Sequence, residues 1–219
     1  MGIDLRLNAI VDPERAGGHE LADLALRCAQ GGATLIQLRD KLSDTRAMVE
    51  TARAIKKALA PFSVPLVVND RVDVALAAGA DGVHVGQDDM AVEDARRLLG
   101  RGAIIGLSIK TVEEANAAPI ALIDYVGSGG VYATTSKQQK NAPIGPAGLA
   151  RVIAALHARA KKLPVCGIAG IDAGNAAAVI AAGADGIAVI SALSLAPDPA
   201  AAARSLRAIV DTTLAKRGA

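Results

Sequence analysis

The sequence predicts one α/β domain over residues 1–219, built as a closed (β/α)8 barrel, and three observations lead there. Ala77-Ala78-Gly79-Ala80-Asp81-Gly82 recurs letter for letter as Ala181-Ala182-Gly183-Ala184-Asp185-Gly186, 104 residues later, and each copy runs into a short Val/Ile-rich stretch. Self-similarity at four times 26 residues marks a repeated supersecondary unit. Eight apolar runs of strand length alternate with Ala/Leu-rich helical stretches at about 27 residues per unit, near the lower size limit of the TIM-barrel architecture. No Gly-x-Gly-x-x-Gly turn follows the first strand, which counts against a doubly wound open sheet.

The expected strands are residues 5–11, 35–39, 66–69, 83–86, 104–109, 125–129, 165–168 and 187–190. Each is a short, near-continuous apolar run, as strands covered on both faces require. Helical stretches lie between them, among them 21–29, 45–59, 92–99 and 147–161. The inner glycine of each repeat copy suits the residue just past a helix, where φ turns positive, and Gln30-Gly31-Gly32-Ala33-Thr34 is a weaker relative.

Composition bounds the function. At 219 residues, 52% hydrophobic and 21% charged, the chain buries roughly 70% of its unfolded surface in one core. A net charge of +2 and only three aromatics (Phe62, Tyr125, Tyr132) give neither the field nor the stacking platforms that nucleic acid needs. No basic start leads into a long apolar run and no apolar stretch approaches the roughly 20 residues that span a bilayer, so a soluble, cytoplasmic protein with no membrane partner is expected. Cys28 and Cys166 sit in apolar surroundings and read as core residues; His19 and His157 fall in helical stretches and read as solvent-facing.

Barrel chemistry sits at the C-terminal ends of the strands, and unusual polar residues collect there. After the second strand, Gln37, Arg39 and Lys41 fall on one side by alternation, with Leu38 and Asp40 on the other. Two cations directed into a barrel mouth call for an anion. Asn69-Asp70 ends the third strand, and Gln87-Asp88-Asp89 follows the fourth. Asp70 with Asp88 or Asp89 suits Mg2+, although each aspartate alone could cap the next helix. His84 lies within its strand and reads as a hydrogen-bonded structural histidine. The sixth strand leads into Thr134-Thr135-Ser136-Lys137, a polar loop of phosphate-binding type. The last two strands end at Gly170 and Ser191, where this fold commonly holds phosphate on backbone N–H groups.

In these motifs the chain resembles the thiamine phosphate synthase family, over nearly its whole length. The family's Gln-Leu-Arg-x-Lys is matched by Gln37 to Lys41, its Asn-Asp by Asn69-Asp70, and its Asp-Gly-Val-His-x-Gly-Gln-x-Asp by Asp81 to Asp89. Gly106-Leu107-Ser108, Thr134 to Lys137 and Ile190-Ser191 follow in order. The resemblance implies a transferase of thiamine biosynthesis that joins hydroxymethylpyrimidine diphosphate to thiazole phosphate, releasing diphosphate. It implies that Gln37, Arg39, Lys41, Asn69, Ser108 and Lys137 hold the pyrimidine diphosphate, with Arg39, Lys41, Ser108 and Lys137 catalytic. Asp70 and Asp89 would hold Mg2+, with Asp88 at the variable position. Thr134, Thr135, Ser136, Gly170, Ile190 and Ser191 would hold the thiazole phosphate. The partners are then small-molecule substrates, and a homodimer is compatible with the sequence.

Three positions depart from the family's pattern. Ala169 stands for the first glycine of Ile-Gly-Gly-Ile, which changes the shape of the phosphate pocket slightly, Gly130 for a proline common after the glycine turn, which should loosen that loop, and Ser136 for a threonine, which keeps the hydroxyl. Arg39, Lys41, Lys137 and Mg2+, less Asp70 and Asp89, leave about +3 against a departing diphosphate of about −3. The alternatives are a phosphate-binding barrel isomerase, a ligand-sensing barrel, and the related thiazole tautomerase branch; that branch places a histidine where this chain has Lys110.

Overall fold

The structure, a computed structural model, describes residues 2–136 and 142–218. Among them eight parallel strands close into a barrel in sequence order: β1 (Leu7–Val11), β2 (Leu35–Leu38), β3 (Leu66–Asn69), β4 (Gly82–Val85), β5 (Ile104–Ile109), β6 (Tyr125–Gly129), β7 (Val165–Ile168) and β8 (Gly186–Val189). The helices between and after them are α1 (Leu21–Gln30), α2 (Thr45–Leu59), α3 (Val72–Ala78), α4 (Val92–Leu99), α5 (Val112–Ala117), α6 (Gly145–Arg159), α7 (Ala176–Ala181), α8 (Ser191–Ser194) and α9 (Pro199–Gly218). Closure is made by β1 against β8, with Leu7 opposite Ile187 and Ala9 opposite Val189. Among the described residues no helix is long and apolar enough to cross a membrane.

Alternation divides each strand between two cores. Outward residues such as Ile36, Leu38, Val83 and Val85 join the helices in one continuous apolar shell. Inward residues Leu5, Ile10, Leu35, Val67, Tyr125, Cys166 and Ala188 fill the barrel itself. Cys28 lies in the outer shell and Cys166 in the inner one; burial pushes both thiols up to about 12, so both are protonated packing residues.

Two strands start one residue before the expected position, and the repeat explains why. β4 and β8 begin at Gly82 and Gly186, where a Cβ would fall on the carbonyl oxygens of Ile104 and Leu5. Only glycine lets the neighbouring backbone come so close. Gly79 (φ 66°) and Gly183 (φ 111°) end the preceding helices as expected. β1 starts at Leu7 rather than residue 5, because Arg6 N–H turns to the Asp4 carboxylate (3.1 Å).

The aspartate of the repeat has its own task at the N-terminal end of the barrel. Asp81 accepts from Leu66 N–H (2.9 Å) and Asp185 from Val165 N–H (3.0 Å), so each holds the first amide of the preceding strand. Outside the repeat, Asp124 holds the second amide of β5, that of Ile105 (2.8 Å). A cation backs each carboxylate: Lys56 on Asp81, Arg217 on Asp185 and Arg96 on Asp124. Conserving the acceptor should therefore matter more than conserving the charge. Asp185→Ala, which strands a buried amide, is expected to lower stability by about 1–3 kcal/mol, a Tm loss of about 2–4 °C per kcal/mol. Asp185→Asn should lose less than half of that by thermal unfolding; equal losses would assign the effect to charge.

Candidate active site

The end of β2 supplies three polar side chains, each tied to a different neighbour. Gln37 points into the barrel, 4% exposed, and donates to Asn69 Oδ1 (3.0 Å). Its own oxygen accepts from Asn8 Nδ2 (3.4 Å), so an amide chain runs across β1, β2 and β3. Arg39 pairs with Asp12, whose carboxylate is fully buried, and lies 3.7 Å from Glu14. Lys41 reaches across to Asp70. Asp40 turns away and accepts from Leu42 and Ser43 N–H (2.9 Å each). Burial works to raise its pKa, but these hydrogen bonds outweigh that and leave it lowered.

The two aspartates meet, and neither caps a helix. The N-cap residues of α3 and α4 are Arg71 and Ala91, and neither makes a side-chain cap. Asp70 instead adopts φ 63°, its N–H held by His84 O (2.7 Å), a left-handed backbone that a non-glycine residue keeps only under restraint. Asp89 accepts from Gly86 N–H (2.7 Å). Its pKa is raised, first by partial desolvation and then by Asp70 hydrogen-bonded beside it, against the pull of Gly86 N–H and Lys41. Asp88 is exposed. Two carboxylates converge here, with Lys41 on Asp70 as the cation beside them. Such hard oxygen donors fit Mg2+ with waters and phosphate oxygens completing the shell. Among the described residues no cluster of three or more His, Cys, Asp or Glu offers another metal centre.

β4, β5 and β6 bring a third group together. Ser108, at the end of β5, bonds His84 Nε2 (2.9 Å), and His84 Nδ1 bonds Tyr125 Oη (3.0 Å) inside the barrel. Gln87 Nε2 donates to Ser108 O (2.7 Å). His84 is thus the hydrogen-bonded histidine that its place within the strand suggests.

Across the mouth the loops after β6, β7 and β8 form a neutral wall. Ser136 Oγ meets Ser191 Oγ (2.7 Å), and Ser136 N–H donates to Thr134 Oγ1 (3.1 Å). The Thr135 carbonyl accepts from Arg15, which ties this loop to the one after β1. Gly170 (φ 63°) lies where a Cβ would meet Ala133 O and stand 2.8 Å from Tyr132 Cβ; its carbonyl accepts from Asn175 Nδ2 (2.8 Å). Ile190 lines the barrel interior just before Ser191 opens α8. Lys137 lies outside the described residues.

The expected groups therefore lie on two arcs of the mouth: Gln37, Arg39, Lys41, Asn69, Asp70, Asp89 and Ser108 at or just after the ends of β2–β5, and Thr134 to Ser136, Gly170, Ile190 and Ser191 in the loops after β6–β8. Sequence reasoning missed Asp12, Asn8, Arg15 and Gln87. Asp12 ends the first strand and was open to the strand-end criterion that found Asp70.

A family model described as Thiamine monophosphate synthase matches residues 7–193. The chain belongs to the thiamine monophosphate synthase family. It is 49% identical over 215 residues to the "Thiamine-phosphate synthase" of Agrobacterium fabrum, covering 98% of each chain. To the protein of that name from Albidiferax ferrireducens it is 46% identical over 207 residues, covering 94% of this chain and 92% of the other. The solved "Thiamine phosphate pyrophosphorylase" of Pyrococcus furiosus superposes with a TM-score of 0.83 at 37% identity, covering 97% and 98% of the two chains.

Two of the departures from this family's pattern now have a backbone explanation. Gly130 adopts φ 78°, which proline's ring forbids, and its carbonyl accepts from Ile144 N–H (2.8 Å). The glycine there is a shaped turn rather than the slack that a missing proline suggests. Ala169 adopts φ 89°, where an L side chain is strained. Ala169→Gly should relieve about 1–2 kcal/mol of strain and give back under about 1 kcal/mol in unfolded-chain entropy. A Tm rise of about 2–4 °C is expected for that net gain; an unchanged or lower Tm in thermal unfolding would show that the loop carries no strain at Ala169.

Proposed function

We propose that this chain joins hydroxymethylpyrimidine diphosphate to thiazole phosphate, forming thiamine phosphate and releasing diphosphate. The observation that carries it is the split mouth, with cations and paired carboxylates at the ends of β2–β4 facing neutral hydroxyl and backbone donors at the ends of β6–β8. A diphosphate ester needs formal charge to leave, whereas a phosphate monoester can be held by N–H and hydroxyl groups.

The bond that breaks joins the pyrimidine methylene carbon to the diphosphate oxygen, and the electron pair leaves with diphosphate. The aminopyrimidine ring stabilises the methylene cation, and the thiazole nitrogen supplies the pair for the new C–N bond. No side-chain nucleophile is required, consistent with both cysteines being protonated in the two cores. Arg39, fixed by buried Asp12, presents its remaining donors from a set position. Lys41, about half exposed, can exchange Asp70 for a phosphate oxygen. Gln37 and Asn69, already joined, orient the pyrimidine ring, and Ser108 and Lys137 donate to the diphosphate. Asp70 and Asp89 would hold Mg2+, which supplies Lewis-acid neutralisation of the leaving group. Counting Asp12 against Arg39 lowers the expected site charge from about +3 to about +2, so the diphosphate relies more on hydrogen-bond donors such as Ser108. Thr134, Thr135, Ser136, Gly170, Ile190 and Ser191 form the proposed thiazole phosphate wall. The tautomerase alternative is not favoured: position 110 is lysine, and both curated relatives above carry the synthase name.

The test is product formation. With both substrates and Mg2+, thiamine phosphate and diphosphate should accumulate in equal amounts, stop with excess EDTA and resume with added Mg2+. Turnover undiminished in chelator would sink the carboxylate-pair site, and absence of product would sink the function. Half-site variants separate the two walls by titration with each substrate alone. Gly170→Val should weaken thiazole phosphate binding at least about 10-fold by displacing Tyr132 and Ala133, and leave diphosphate binding intact. Lys41→Ala should do the reverse. Arg39→Ala is the poorer probe, because it strands the buried Asp12 carboxylate and costs about 3–5 kcal/mol of stability on its own.

A further inference from the structure

The barrel interior gives up volume to hold His84 and Tyr125 side by side. A Cβ on Gly106 would collide with the Tyr125 ring and with His84 Nδ1, and a Cβ on Gly127 would stand 2.9 Å from His84 Cε1. Their rings lie 5.4 Å apart between centroids, tilted by 37°. Tyr125 is fully buried and His84 is 8% exposed, so bulk water does not compete for the contact between them. The chain of contacts ends on Ser108, which is only half-buried at the mouth.

We infer that His84 and Tyr125 are positioning residues that hold the Ser108 hydroxyl as a hydrogen-bond donor toward the diphosphate ester. This rests on the proposed synthase reading, which puts the diphosphate at Ser108. The direction follows from counting protons. Tyr125 carries one hydroxyl proton, and among the described residues its hydrogen-bonding partner is His84 Nδ1. A buried phenol proton without an acceptor is costly, so Nδ1 accepts and Nε2 carries the ring proton. Nε2–H then donates to the Ser108 oxygen, and the serine proton must point elsewhere, which at this position is the mouth. Burial keeps the phenol protonated, its pKa well above the ordinary value, so Tyr125 retains the proton that it donates. The opposite tautomer would make Ser108 donate to His84 and turn its lone pairs on the incoming anion. Hydrogen bonds in series also polarise one another, which strengthens the last donor in the chain. With the site's formal charge reduced by Asp12, a donor of fixed direction has added value.

A double-mutant cycle tests this in the full chain with both substrates and Mg2+. Tyr125→Phe keeps the ring that fills the space beside Gly106, and should lower kcat about 10-fold with KM for either substrate within about 2-fold. Ser108→Ala should lower kcat by about 10²-fold. The inference requires that Tyr125→Phe cost less than about 2-fold when added to Ser108→Ala, because the serine is the only route by which the phenol acts. Equal losses on both backgrounds, or a Tyr125→Phe enzyme at full rate, would overturn it and leave a packing role. Should Tyr125→Phe fail to fold, His84 decides. His84→Gln offers an N–H where imidazole Nε2 stands and should stay within about 3-fold of the parent, whereas His84→Leu should fall about 10-fold. Equal losses in those two variants would again overturn the inference. A parent chain that forms no thiamine phosphate overturns the synthase reading itself, and so is told apart from an active parent whose variants behave additively.

Discussion

The narrow interior of a closed eight-stranded barrel is the constraint on which the site depends. Parallel closure brings the strands close enough that Gly82 and Gly186 have no room for a Cβ, and the strand starts are held in place at the end of the barrel opposite the mouth. The aspartates that accept from strand amides at the N-terminal end do that holding, away from the chemistry. Above them, the inner volume is allotted side chain by side chain. Apolar residues such as Leu35, Val67 and Cys166 fill it, and Gly106 and Gly127 yield space to His84 and Tyr125. Polar side chains that enter this volume must find partners there, and most do. Among the described residues two buried side-chain atoms lack a partner: Asn8 Oδ1, at the far end of the Asn8–Gln37–Asn69 chain, and Ser128 Oγ on β6.

Electrostatics then separates side chains that look alike in sequence. Arg39 and Lys41 are two residues apart and both cationic, yet Arg39 is anchored by a fully buried carboxylate and Lys41 by a carboxylate at the rim. A buried pair fixes geometry at the expense of net charge; a rim pair can be exchanged for a ligand at little cost. Asp70 and Asp89 differ again, because they are pressed together and Asp70 raises the proton affinity of Asp89. Paired carboxylate oxygens of this kind are a donor set that suits a hard divalent cation.

Much of this was legible in the sequence because local rules govern it. Strand ends carry the chemistry of a barrel, so Gln37, Asn69, Asp70 and Gly170 were visible from their positions alone, whereas Ser108 was named only by the family resemblance. The unread parts depend on partners distant in the chain. Asp12 binds Arg39 across the β1–β2 pair, 27 residues on, and nothing in either local segment announces the other. The two neighbours of His84 likewise come from β5 and β6. Backbone state was the other hidden quantity. Gly130 looked like a loosened loop and is a turn with positive φ, and Ala169 looked like a small change in pocket shape and is a strained residue. Gly82 and Gly186 stood one residue before the expected strands, but they are the first residues of those strands, excluded from bearing side chains by the neighbouring carbonyls.

The central claim is that the mouth has a charged half that binds a divalent cation with diphosphate, opposite a neutral half that binds a monophosphate. Crystals grown with diphosphate and Mn2+ in place of Mg2+ test it directly, since manganese can be located by its anomalous scattering. The account predicts an anomalous peak in contact with both Asp70 and Asp89, with the diphosphate reaching Lys41 and Ser108. A metal peak that touches neither carboxylate, or a diphosphate seated at Gly170 and Ser191 instead, would contradict it.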